Sequence, residues 1–268
     1  CASVASTLDW VHLGHLNAGG TMMTAIDFQN LTIGYNRQPA VAQLNTNIVE
    51  GSLTAIVGPN GAGKSTLFKC VIGALKPMDG RVVLGSMGRK NIGYLPQQSD
   101  IDRSFPISVV DIVAMGLWRE IGAFGWLGMK RRSRVETAIA AVGLTGFESR
   151  VIGSLSGGQM QRALFARLLL QDANLVLLDE PFISVDEPTI ADLTCIIQNW
   201  HEEGRTVLAV LHDMEMIKTH FPDTLMLARE LVAHGPTGQV LTADNHFRAR
   251  QMCEACLGPP HVCGRDAA

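Results

Sequence analysis

An α/β core is predicted for this chain by two short stretches. Leu53-Thr-Ala-Ile-Val57 is a β-prone run leading directly into Gly58-Pro-Asn-Gly-Ala-Gly-Lys-Ser-Thr66, after which Leu67 to Leu75 reads as helix. Later, Leu175-Val-Leu-Leu178 is an unbroken aliphatic run ending in Asp179-Glu180, as expected of a strand covered on both faces. The composition allows such a core. Of 268 residues, 47% are hydrophobic and 18% charged, a globular mixture suited to one large or two small lobes.

Several classes fall away on composition. A formal net charge of -3 supplies no basic field, so no nucleic-acid partner is expected. No apolar run approaches the roughly 18 to 20 residues needed to cross a bilayer. Even Leu164 to Leu178 is broken by arginine, glutamine and aspartate. Cys1 to Thr21 lacks the basic start and apolar centre of an export signal, so residues 1–22 are expected to be an extension, with Met22 or Met23 nearer the functional start. The cysteines, scattered as Cys1, Cys70, Cys195, Cys253, Cys256 and Cys263, fit a reducing cytoplasm better than a dense disulfide framework.

The first motif is Gly-x-x-x-x-Gly-Lys-Ser between strand and helix, the context in which it binds phosphate. Its candidate nucleotide-binding residues are Gly58, Pro59, Asn60, Gly61, Ala62, Gly63, Lys64, Ser65 and Thr66. Glycines let the backbone wrap close to phosphate, and the helix start adds its positive dipole end. Lys64 is expected to reach the terminal phosphates of ATP or GTP, and Ser65 to ligate magnesium. At the end of the aliphatic run, Asp179 is placed to hold magnesium and Glu180 to orient or deprotonate an attacking water. These features alone admit a kinase, a GTPase, a motor or a transporter ATPase.

Between Gln97 and Leu155, helical patterns at Val109 to Leu117 and Arg132 to Val142 predict a helical subdomain. Leu155-Ser-Gly-Gly-Gln159 follows and opens a helix predicted over Gln159 to Leu170. A serine hydroxyl and bare glycine amides at a helix start make an anion site with no anion of its own.

With that pentapeptide upstream of Leu175 to Glu180, the sequence resembles the ATP-binding-cassette (ABC) ATPases over roughly Ile26 to Gln239. The resemblance implies an α/β P-loop NTPase fold, the ABC-type nucleotide-binding domain, with an antiparallel β region near the N-terminus and a helical subdomain inserted at about 98–153. It implies an ATPase domain over 23–243 and a tail over 244–268. In the family the cassettes pair head to tail, so Ser156, Gly157, Gly158 and Gln159 would close in trans over ATP held by Lys64 of a second copy. Tyr35 would stack on adenine, and Gln97, or its neighbour Gln98, would sense magnesium and the attacking water. His212, after the β-prone run Thr206 to Leu211, would contact the γ-phosphate and support Glu180. Asp186 would communicate between the two sites, although Ile183 stands where the family frequently has serine or threonine.

Gly93 to Gly116, "GYLPQQSDIDRSFPISVVDIVAMG", resembles the manganese and zinc importer branch, in which acids and then Phe-Pro follow the glutamine; Phe105-Pro106 keeps that pair. The resemblance implies ATP and Mg2+ as cofactors and a homodimer on a membrane permease dimer at the inner face of the membrane. An extracellular or periplasmic metal-binding protein would act beyond the permease. Zinc or manganese would be the cargo, zinc preferred. Iron-chelate and haem importers are neighbouring branches, and a soluble non-transport cassette is a further alternative.

Three segments carry readings of their own. Ile121 to Met129 reads as a patch for a membrane partner or a packed turn, and Lys130-Arg131-Arg132 as a solvated helix entry or a headgroup contact. In the tail, Cys253-x-x-Cys256 with His261 and Cys263 offers zinc-ligand types, while the short Gly-Pro-containing segment favours a loose tail with incidental thiols.

Overall fold

The computed structural model describes residues 23–85, 88–122 and 128–254. Strands β1 (Thr24–Tyr35) and β2 (Gln38–Val49) form an antiparallel hairpin. Its two turn residues, Asn36 and Arg37, have φ of 51° and 63°, the double left-handed turn that matches strand twist. On the other side of β1 lies β4 (Asp79–Leu84), giving a three-stranded sheet ordered β2-β1-β4.

The second sheet has six strands. β3 (Leu53–Val57), β5 (Ile92–Leu95), β6 (Leu175–Asp179), β7 (Thr206–Val210), β8 (Asp223–Ala228) and β9 (Glu230–Pro236) stand in the order β5-β6-β7-β3-β8-β9. Only the β8–β9 pair is antiparallel. Every residue of β3, β6 and β7 is buried, which is why the sequence there is mostly aliphatic, with Thr54, Asp179 and Thr206 the exceptions, rather than alternating.

Alternation survives as a division between two cores. Leu53, Ala55 and Val57 of β3, with Val176 and Leu178 of β6, face one hydrophobic cluster; Ile56, Leu175 and Leu177 face the other. The first cluster is closed by helices α2 (Val109–Ala114), α4 (Met129–Ala141), α5 (Gly157–Gln171) and α6 (Glu187–Glu202), which follow α1 (Lys64–Val71) in the chain, with the short α3 (Trp118–Ile121) after α2. The second cluster lies between the parallel sheet, α1 and the antiparallel sheet. Three helices complete the described chain: α7 (Met214–His220), α8 (Thr237–Val240) and α9 (Ala243–Glu254), the last packed on β8 and β9 with Ala249 buried.

The helical subdomain departs from expectation at its edges. The pattern at 109–117 is α-helix only to Ala114 and continues as a 3-10 turn over Met115–Leu117. The helix expected from Arg132 begins at Met129. Among the described residues, no helix is long and apolar enough to cross a membrane.

Candidate active site

The parallel strands deliver the candidate residues to one edge of the sheet, where their carboxyl ends lie. The loop 58–63 leaves β3, Asp179 ends β6 with Glu180 just beyond it, and His212 follows β7, which lies between β6 and β3 in the sheet. Glycine is required at Gly58 and Gly63. At Gly58 φ is 151° and a Cβ would sit 1.9 Å from the Leu227 carbonyl oxygen; at Gly63 φ is 92° and a Cβ would meet Val41 at 2.4 Å. The loop is thereby pressed between β8 and β2 and turned so that α1 opens at Lys64.

A cavity of about 200 Å³ is lined by Asn60 to Thr66 and by Glu180. Lys64 is buried beside it, its Nζ donating to the carbonyls of Gly58 at 2.8 Å and Pro59 at 3.0 Å. Burial lowers its pKa, and the carboxylates of Glu180 and Asp179 act the other way. Ser65 Oγ donates to Asp179 Oδ1 at 3.0 Å. Asp179 is fully buried, and burial raises its pKa to about 6 against the Ser65 hydrogen bond, which lowers it. Tyr94, unremarked in the sequence, points its hydroxyl at Asp179 Oδ2 at 3.5 Å.

Glu180 is held from two sides. Gln97 Nε2 donates to its Oε2, and His212 Nε2 lies 2.8 Å from its Oε1. With Nε2 protonated, the imidazole donates. The pair Gln97-Gln98 thus divides: Gln97 reaches Glu180, whereas Gln98 Nε2 donates to the Gly157 carbonyl at 3.1 Å and to Gln161 Oε1 at 2.9 Å. Tyr35 ends β1 and is 51% exposed, so it is not a core tyrosine.

Ser156 caps α5. Its hydroxyl accepts from the Gln159 amide at 3.2 Å, and the Gln159 side chain accepts from the Ser156 amide at 3.0 Å, a reciprocal box that starts the helix at Gly157 rather than at Gln159. No residue of Leu155 to Gln159 lines the phosphate-loop cavity of its own chain. The opening of α5 instead meets the 184–186 segment: a Cβ on Gly157 would sit 3.0 Å from the Ser184 carbonyl, and one on Gly158 3.4 Å from Asp186 Oδ1. Asp186 Oδ1 accepts from Thr189 Oγ1 at 2.8 Å, and that bond holds its carboxyl below the usual range.

Against this geometry, the ABC transporter family model matches residues 41–183. The chain belongs to the ABC transporter family. The manganese transport system ATP-binding protein MntB of Listeria monocytogenes is 40% identical over 223 residues, 82% of this chain and 93% of the relative. The zinc transport system ATP-binding protein TroB of Treponema pallidum is 38% identical, over 84% of this chain and 86% of its own. A dimeric structure of a bacterial ABC transporter cassette superposes with a TM-score of 0.70 at 26% identity, covering 79% of this chain and 98% of that one.

Some expectations lie off this ABC site. Cys253 sits partly buried in α9; Cys256, His261 and Cys263, like residues 1–22, are outside the described residues. Among the described residues no group of three or more His, Cys, Asp or Glu is arranged to hold a metal. Of the 121–129 segment, residues 123–127 are likewise outside; Ile121 packs against the core and Met129 is 91% exposed. Phe105 and Trp118 are exposed on the helical subdomain.

Proposed function

We propose that this chain is the ATP-hydrolysing subunit of an ABC importer that takes up a divalent metal ion, manganese or zinc, through a separate membrane permease. The observation that carries the catalytic part is the Glu180 carboxylate, fixed between Gln97 and His212 at the rim of the phosphate-loop cavity. The names of relatives at 38 to 40% identity support the cargo.

In this reading ATP lies along Gly58 to Thr66, with adenine against the exposed ring of Tyr35. The amides opening α1 and the Lys64 ammonium receive the phosphates; on binding, Lys64 exchanges its two loop carbonyls for phosphate oxygens. Glu180 orients a water toward the γ-phosphate and accepts its proton at the oxygen facing the cavity, while Gln97 and His212 keep the carboxylate from swinging away. The Ser65 hydroxyl and the Asp179 carboxylate, 3.0 Å apart, are hard oxygen donors that fit magnesium, and the Gln97 amide oxygen would be the third protein donor. Magnesium, when bound there, neutralises phosphate charge.

The cavity of one chain holds phosphate-binding groups but none of Ser156 to Gln159, which supports a site shared between two copies, the Ser156 turn of each closing over ATP on the other. Asp186, against the opening of α5, would link the two sites. ATP favours the closed pair, and hydrolysis releases it, moving the permease between its two facings. The cassette dimer would lie at the inner face of the membrane, with a metal-binding protein outside delivering the ion.

The test is Glu180→Gln. ATP binding should persist and a dimer accumulate, seen as a doubled mass in ATP by light scattering, with turnover reduced about a hundredfold or more. Unchanged turnover removes Glu180 from its role. Uptake of radiolabelled manganese and zinc by vesicles carrying the cognate permease tests the cargo.

A further inference from the structure

We propose that Gln98 and Arg103 are positioning residues that clasp the backbone on both sides of Ser156 and so set how this serine is presented to the ATP of a second copy. The proposal rests on the shared-site reading above and assigns it two residues on a segment distant in sequence.

The segment 97–103 reaches Glu180, α1 and the Ser156 turn. Gln97 has extended backbone, with φ −57° and ψ 142°, so adjacent side chains leave in different directions. Gln97 goes to Glu180, and Gln98 goes to the Gly157 carbonyl and to Gln161. Asp100 pairs with Lys69 of α1 at 3.0 Å. Arg103 donates to the carbonyl of Leu155. The two backbone acceptors, Leu155 and Gly157, are the residues immediately before and after Ser156. The backbone of Arg103 also approaches Gly153 so closely that a Cβ there would lie 2.8 Å from the Arg103 carbonyl oxygen.

Locally Ser156 is tied to its own helix: its hydroxyl accepts from the Gln159 amide at 3.2 Å, its amide donates to the Gln159 side chain at 3.0 Å and its carbonyl accepts from the Met160 amide at 2.9 Å. The capped turn is thus one unit, and the two clasped carbonyls on its flanks set how that unit, with its hydroxyl and glycine amides, is oriented. Displacing segment 98–103 drags both carbonyls and rotates the serine. Gln161 is buried, and its Nε2 finds no partner among the described residues, so its link to Gln98 is only half of what a buried amide can make. Such a link is remade at lower cost than a saturated network, as a contact that shifts with the nucleotide cycle requires.

The experiment uses the full chain and separates nucleotide binding from turnover. Gln98→Met keeps the side-chain length but removes the donor. Arg103→Ala removes the second clasp, and Arg103→Lys restores a donor. ATP affinity, by equilibrium dialysis, should change by less than about twofold, because the phosphate loop is untouched, while kcat falls about tenfold for Gln98→Met and Arg103→Ala and recovers largely in Arg103→Lys. In a Ser156→Ala background, Gln98→Met should cause no further loss, since it acts through that serine. Unchanged kcat in Gln98→Met and Arg103→Ala overturns the proposal, as does a full tenfold loss added on top of Ser156→Ala. If Ser156→Ala alone loses nothing, the shared site itself is refuted and the clasp with it. Should Arg103→Ala fail to fold, the Gln98→Met cycle still decides.

Discussion

Glu180 adopts φ 51°, a left-handed conformation that costs a non-glycine residue about 1 kcal/mol or more and persists where surroundings impose it. Here the imposition is the end of β6 on one side and the two hydrogen bonds to its carboxylate on the other. Because His212 supports that carboxylate from the loop after β7, His212→Ala should lower kcat about a hundredfold with ATP affinity nearly unchanged, read by steady-state kinetics beside nucleotide titration. Asp179 supplies a pH prediction. Its pKa of about 6 lies above the ordinary aspartate value of 3.8, so the folded chain binds the proton more tightly than the unfolded one. Stability from this group is therefore present at low pH and lost as pH rises through 6. Asp179→Asn should stabilise the nucleotide-free chain at pH 7.5 by about 1 to 3 kcal/mol, a gain that shrinks at acid pH in denaturant titrations, while abolishing magnesium-dependent turnover.

At the scale of elements, the start of α5 serves two ends. The Ser156–Gln159 box satisfies amides that would otherwise be orphaned, and the same turn offers its hydroxyl to a ligand. Ser156→Ala should cost about 1 kcal/mol in urea denaturation, too little to unfold the domain, and lower turnover by much more than that loss of stability accounts for. The far half of α5 is structural. Phe165 stacks on Trp200 of α6, with ring planes 1° apart and centroids 5.9 Å apart, and Trp200→Ala should cost about 3 to 5 kcal/mol. Strand β6 was legible in the sequence because burial on both faces writes an unbroken aliphatic run, and β3 because a β-prone run leads directly into the phosphate loop. Helix starts were less legible: α5 begins earlier than its apolar pattern because capping, not periodicity, sets the first turn. The change to a 3-10 turn after Ala114 leaves no periodicity signal over three residues.

Across the whole molecule, two sheets must hold together for the phosphate loop to keep its shape, since Gly63 presses on Val41 of the antiparallel sheet. Besides the hydrophobic cluster between them, hydrogen bonds join them directly: Thr46 Oγ1 meets His234 Nδ1 at 2.8 Å, and the Ala42 amide donates to the Arg229 carbonyl at 2.7 Å. Burial lowers the pKa of His234, with Asp223 acting the other way. The unfolded chain therefore takes up a proton that the folded chain resists, and this contribution to stability, present above the ordinary histidine value, is lost as pH falls below it. Its sign is opposite to that of Asp179. Melting temperature measured across pH 5 to 8 should fall less steeply on the acid side in His234→Asn than in the parent chain.

The sequence by itself determined the phosphate loop, the acid pair after β6, the Ser156 turn and the α/β core, because each is written in contiguous residues whose spacing the backbone requires. Only the tertiary structure decided which of two adjacent glutamines meets Glu180, that Tyr94 faces Asp179, and that Gln98 and Arg103 grip the turn around Ser156. Those partners lie tens of residues apart in the chain. They meet because the strand order sets β7 between β6 and β3 and the helical subdomain folds back along α5, a matter of how layers pack rather than of any local pattern.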